Sequence, residues 1–117
     1  MVLDFSNQND YKITVKEKSK ISVIDINDIL YLQCEGYLTT IYLVNNTSID
    51  VAKLLKQFEN ELTDLGFLRV NHHTLINMRY INNLKIGKQR RIVYLKDIEI
   101  EISRRKYYQL KELLRVN

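Results

Sequence analysis

The chain has 117 residues, 45% of them hydrophobic and 27% charged, with a net charge of +4. That suits a single globular domain burying about two-thirds of its unfolded surface. No bilayer span, signal peptide or internal disulfide is expected: no apolar run is long enough, the first residues lack the pattern, and Cys34 is alone, which fits a reducing cytoplasm and a buried thiol.

Residues 1–10 are polar and aperiodic and read as a flexible tail or the remnant of a linker from an upstream domain, with the folded domain at 11–117. Alternation and β-branched content predict strands at 11–15 and 20–23. Asp25 to Asp28 form a tight turn into a strand at 29–34, which Glu35 and Gly36 break. A strand follows at 37–44 and turns at Asn45 and Asn46 into another at 47–49. With no proline, turns fall to Gly, Asn and Asp. Asn45 with Asn46, Asn82 with Asn83, Gly87 with Lys88, and Lys96 with Asp97 supply them.

A helix comes next, capped by Asp50 or Ser48. Its apolar stripe is Val51, Leu54, Leu55, Phe58, Leu62 and Leu65; Lys53, Lys56, Glu59 and Glu61 take the wet side, and Gly66 stops it. Strands are predicted at 67–70 and 73–76, with a turn at 77–80. Two more, at 81–86 and 91–95, flank a hairpin tip at 87–90. Residues 98–102 alternate Ile and Glu, a half-buried strand with an acidic outer face. Ser103 caps a last helix with a buried stripe of Tyr107, Leu110, Leu113 and Leu114. The pattern is that of a mainly β, antiparallel domain with two short helices. Strand order does not follow from it.

The charge is polarised. Residues 66–117 hold twelve bases and four acids, a net +8, whereas residues 1–65 hold six bases and ten acids, a net −4. A one-sided positive field marks either a nucleic-acid binder or a surface that is merely rich in cations. Between the apolar anchors Phe67, Val70, Leu75 and Ile76, the chain presents Arg69, Asn71, His72, His73 and Thr74 on a short connection. A rigidly held loop of donors is what base readout needs. A second cluster, Arg104, Arg105 and Lys106, follows Ser103 at a helix start. The Arg fork matches guanine O6 and N7. Cations there oppose the helix dipole at a cost of roughly a few tenths of a kcal/mol each, so either an external anion offsets them or they are solvated.

Other chemistries lack their residues. Adjacent strand residues point to opposite faces, so His72 and His73 do not easily share a metal ion, and no other His or Cys clusters with them. No Ser or Cys sits in a nucleophile elbow. No catalytic residue, metal or cofactor is expected. Tyr31, Tyr42, Tyr80, Tyr94, Tyr107 and Tyr108 read as core or rim packing, and Tyr37, beside Gly36, as the exception. Lys16, Lys18 and Lys20 read as a solvated strand face, and Arg90 with Arg91 as either a phosphate contact or ordinary hairpin charge.

An ordered set of short motifs runs through residues 20–114. It opens with Asp28, Ile29, Leu30 and Tyr31, followed by Gly36 and Tyr37. Leu55, Phe58 and Leu62 come next, then Phe67, Leu68 and Arg69. His72 to Asn77 and Tyr80 with Ile81 follow, and Ile102 to Arg105 close the set. In order and spacing this resembles the LytTR DNA-binding domain family of bacterial response regulators. The resemblance implies an elongated, ten-stranded antiparallel fold whose loops enter successive major grooves on one face of bent double-stranded DNA. By position it implies base contacts from Tyr37, His72 and Arg105. It implies phosphate contacts from Arg69, His73, Arg104 and Lys106, and a loop-structuring side chain at Asn77. The family pattern has His, then Arg or Lys, then Ser where this chain has Asn71, His72 and His73, and often a polar or basic residue where it has Tyr37. Those departures alter base preference rather than binding mode. The implied partners are DNA with repeated half-sites, a second copy of the domain on that DNA, and an upstream receiver domain or sensor kinase pathway. The implied location is the cytoplasm, with no membrane partner. The alternative is a protein-interaction module that uses the same fold without DNA.

Overall fold

The computed structural model describes residues 11–115. Ten strands form three antiparallel sheets among these residues, and two α-helices pack on them. Strands β1 (Lys12–Glu17) and β2 (Lys20–Asp25) make a hairpin. The central sheet has the order β5 (Ser48–Val51), β4 (Leu38–Leu43), β3 (Ile29–Glu35), β7 (Thr74–Asn77), β6 (Phe67–Asn71). The third sheet has the order β10 (Ile98–Glu101), β9 (Arg91–Leu95), β8 (Ile81–Ile86). Helix α1 spans Leu55–Leu62 and α2 spans Arg104–Leu113. The described body is elongated, 47 × 32 × 24 Å.

The central sheet is a middle layer with a core on each face. One core joins Ile13, Val15 and Ile24 of the β1–β2 hairpin and Phe58 of α1 to Leu32 and Phe67. The other joins Leu68, Val70 and Ile76 to Val93 and Ile100 of the third sheet and Leu110 of α2. Neighbours in one strand, such as Phe67 and Leu68 or Leu75 and Ile76, go to opposite cores, as the period-two pleat requires. In β3 the register shifts between Ile29 and Tyr31, which lets Leu30 and Tyr31 both serve the second core before Leu32 returns to the first.

The mainly β, antiparallel reading with two helices holds, and the details shift at particular residues. Ser48, Asp50 and Val51 belong to β5, and Leu54 is the N-cap of α1, so neither Ser48 nor Asp50 caps the helix. Gln57 takes over that role from inside: its Oε1 accepts from the Leu54 backbone N–H at 3.1 Å. Val51 lies in the same core as Leu55 and Phe58, and its spacing therefore mimicked a continuous helical stripe. Gly66, at φ 92°, ends a 3-10 turn (Thr63–Leu65) that continues α1. Asn82 and Asn83 lie inside edge strand β8, where the register shifts between Ile81 and Asn83, and do not form a turn. Asn46 (φ 69°) and Lys96 (φ 56°) do turn the chain, and so does Lys18 (φ 50°), which the sequence did not flag. Ser103 holds the N-cap position of α2, yet its side chain makes no capping bond. Cys34 is only partly buried, against the edge of the first core. Among the described residues, no helix is long and apolar enough to cross a membrane. The predicted tail, residues 1–10, lies outside the described residues.

Candidate nucleic-acid interface

Three predicted contact segments line up along one edge because of the sheet order. The β6–β7 turn carries His72 and His73, both exposed. On one side of it β3 runs past the turn: the Cys34 N–H donates to the His73 carbonyl at 2.9 Å, and the β3–β4 hairpin continues to its tip at Gly36 and Tyr37. Gly36 and Tyr37 form the two-residue turn beyond the Glu35–Leu38 pair, so Tyr37 stands at the hairpin tip, and it is 84% exposed. On the other side the Ser103 N–H donates to the Val70 carbonyl at 2.8 Å, which fixes the start of α2 beside β6. The row is therefore Tyr37, then His73 and His72, then Arg104, Arg105 and Lys106.

The structure joins these unequally. A cleft of about 390 Å³ is lined by Glu59, Arg69, Asn71, His72, Arg105 and Lys106, so the turn and the helix start share one space. A second cleft of about 430 Å³ brings His73 to Glu35 and Gly36, next to Tyr37. Arg104 and Arg105 are exposed, and neither they nor Lys106 pairs with a carboxylate among the described residues. The first turn of α2 holds no acidic residue either. Cationic charge thus stands unneutralised at the positive end of a helix dipole. Toward the third sheet the charge changes sign, because Glu99 and Glu101 border a groove of about 500 Å³ that runs up to His72 and His73. Tyr31 lines that groove and stacks on Tyr42 with ring centroids 4.4 Å apart. Burial, and then Tyr42, push the Tyr31 hydroxyl above its ordinary value, so it stays neutral at physiological pH.

Arg69 is not a free cation. Its Nη1 lies 3.2 Å from Glu59 Oε1, and its Nη2 donates to the His72 carbonyl at 2.7 Å. Asn77 sits at the other end of β7, 1% exposed. Its Nδ2 donates to the carbonyls of Ile26 (3.3 Å) and Ile29 (2.9 Å), and its Oδ1 accepts from the Arg79 N–H (3.2 Å). These bonds tie β7 to the 3-10 turn Ile26–Asp28 that leads into β3. Arg90 meets Glu101 at 3.6 Å with both side chains mostly exposed, and Arg91 lies over the Tyr107 ring. Sequence reasoning placed Glu59 on a wet helix face. Its partner is ten residues away on another element, and no local signal reports such a pair.

Fold and edge define a β domain that presents a row of exposed turns ending in a cationic helix start along one side. The chain belongs to the LytTr DNA-binding domain family, whose family model matches residues 19–115. It is 29% identical over 109 residues to the heme-containing CO-sensing transcriptional regulator RcoM 2 of Paraburkholderia xenovorans, covering 91% of this chain and 40% of that protein. It is 32% identical over 73 residues to the sensory transduction protein LytT of Oceanobacillus iheyensis, covering 62% of this chain and 30% of that protein. The chain thus spans well under half the length of these curated relatives. Its fold matches the solved LytTr DNA-binding domain of a candidate methyl-accepting/DNA response regulator from Bacillus cereus, with a TM-score of 0.73 at 15% identity, over 88% of this chain and 95% of that one.

Proposed function

We propose that this domain reads a specific double-stranded DNA sequence and regulates transcription as the output module of a two-component response regulator or of a stand-alone regulator. The observation that carries this is the row of exposed turns on one edge, ending in Arg104, Arg105 and Lys106, which meet no carboxylate among the described residues. Tyr37, His72 and Arg105 are assigned to base edges, and His73, Arg104 and Lys106 to phosphates. Arg105 has the fork that suits guanine. Arg69 is left out of the phosphate set because both of its Nη atoms are engaged within the protein. The family membership supports DNA as the partner. The roles of RcoM 2 and LytT, a transcriptional regulator and a sensory transduction protein, support an output module attached to an input elsewhere. Two copies are expected on repeated half-sites, in the cytoplasm.

Selection of the domain against a random duplex library, then fluorescence anisotropy on the enriched site at several salt concentrations, tests this. The expected result is a repeated motif whose log affinity falls with log salt by roughly 0.9 per phosphate neutralised. No enrichment, with weak binding to every duplex alike, would overturn it in favour of a protein-docking module.

A further inference from the structure

The turn that carries His72 and His73 is built against the usual backbone preference. Two-residue hairpin turns favour primed geometry, with positive φ, to match strand twist. Among the described residues, positive φ outside glycine is confined to Lys18, Asn46, Lys96 and Arg115, so neither histidine adopts it. A register shift between Arg69 and Asn71 takes up part of the mismatch. Side chains from both flanking layers hold the rest. Arg69 bridges Glu59 of α1 to the His72 carbonyl. Asn71 donates from Nδ2 to the Glu101 carbonyl at the end of β10 at 2.6 Å and accepts the His73 N–H on Oδ1 at 2.8 Å. In a regular strand residues 69 and 71 would share a face. The extra residue between them lets Arg69 reach the α1 layer and Asn71 the β10 layer.

We infer that Arg69 is a positioning residue for the reading turn, and that Glu59, through it, sets how sharply the domain discriminates between DNA sequences. A carboxylate beside a phosphate-binding edge repels DNA and lowers affinity for every sequence alike. Glu59 is half-buried in just that place, lining the cleft with Arg105 and Lys106. Its Oε1 also meets Lys56 at 3.5 Å, but that lysine is well exposed, so the pair is weak. The geometric gain is the fork: one guanidinium spans a carboxylate and a carbonyl, which an ammonium cannot do with the same planar geometry. The consequence for discrimination rests on the DNA-reading proposal; the clamp does not.

Two variants of the full chain, Glu59→Gln and Arg69→Lys, are compared with the wild type on three readouts. These are affinity for the selected site, affinity for a random duplex of equal length, and hydrogen exchange of the His73 amide by NMR. With the clamp, Glu59→Gln leaves random-duplex affinity equal or higher and lowers site affinity, so the ratio falls about fivefold or more, the lower end of one lost base contact. Arg69→Lys keeps the charge and lowers the ratio too, and His73 exchanges faster in both. If Arg69 were a phosphate contact, Glu59→Gln would raise both affinities together with the ratio unchanged, and Arg69→Lys would change little; either result overturns the inference. Should the wild type show no salt-sensitive duplex binding at all, the DNA reading falls, and His73 exchange alone decides the clamp. Unchanged exchange in both variants overturns it.

Discussion

Two hairpin ends stand side by side on the candidate edge, and they are held in opposite ways. The β6–β7 turn accepts hydrogen bonds from Arg69 and the Cys34 backbone N–H and donates one to Asn71 Oδ1. The β3–β4 tip has its strand ladder and one glycine in the left-handed region, Gly36 at φ 61°. No side-chain hydrogen bond reaches Gly36 or Tyr37 among the described residues. Position is therefore determined by the fold at His72 and His73, whereas at Tyr37 it is determined locally. A substitution at the tip changes what touches the ligand. A substitution around the turn changes where the ligand is touched.

The comparison can be broken most severely from beneath. Phe58 is fully buried and precedes Glu59 on α1. Phe58→Ala should cost about 3–5 kcal/mol in a denaturant titration, from lost transfer energy and the cavity left behind. It should also loosen the turn, because α1 carries one anchor of it; a loss under about 1 kcal/mol would show that α1 is not seated as described. Arg105→Ala comes next. It should cost about 1–3 kcal/mol in site affinity, concentrated at one base position. An equal loss across all sequences would demote Arg105 to a phosphate contact. Gly36→Ala probes the tip. A Cβ there meets nothing within 4 Å, so the cost is backbone alone, about 1–2 kcal/mol, visible as a lower Tm with the His73 amide still protected. Smallest is Tyr37→Ala, which at 84% exposure should move stability by no more than about 0.5 kcal/mol while altering base preference at one end of the site.

Periodicity made most of the strands legible, and the two-core logic was implicit in it: Phe67 with Leu68 and Leu75 with Ile76 are adjacent apolar pairs because both faces of the central sheet are buried. It failed where two periods coincide. Val51 and Leu54 precede Leu55 at spacings a helix also uses, and only the pairing of Val51 with Thr39 shows that β5 ends there. Asn82 and Asn83 carried turn chemistry into a strand because β8 is an edge, where a bulge costs little. The exposed members of the candidate row were nameable from composition and motif. The residues that hold the row were not, since Glu59 with Arg69 and Asn71 with Glu101 are tertiary pairs without local signature.

The irregularity at Val70 makes the edge sensitive to chain length in a way no substitution reproduces. Val70 is fully buried, so it contributes to the core as any apolar residue would. As the additional residue of its strand it also sets parity: every side chain N-terminal to it keeps one phase of the pleat, and every one after it takes the other. Deleting it would remove a fully buried branched side chain from the second core and, with it, one of the two directions from which the turn is secured. Lengthening or shortening β6 by a single residue is thus the change this domain is least able to absorb, even though the same edit in residues 87–90 would only redraw a solvent-facing loop.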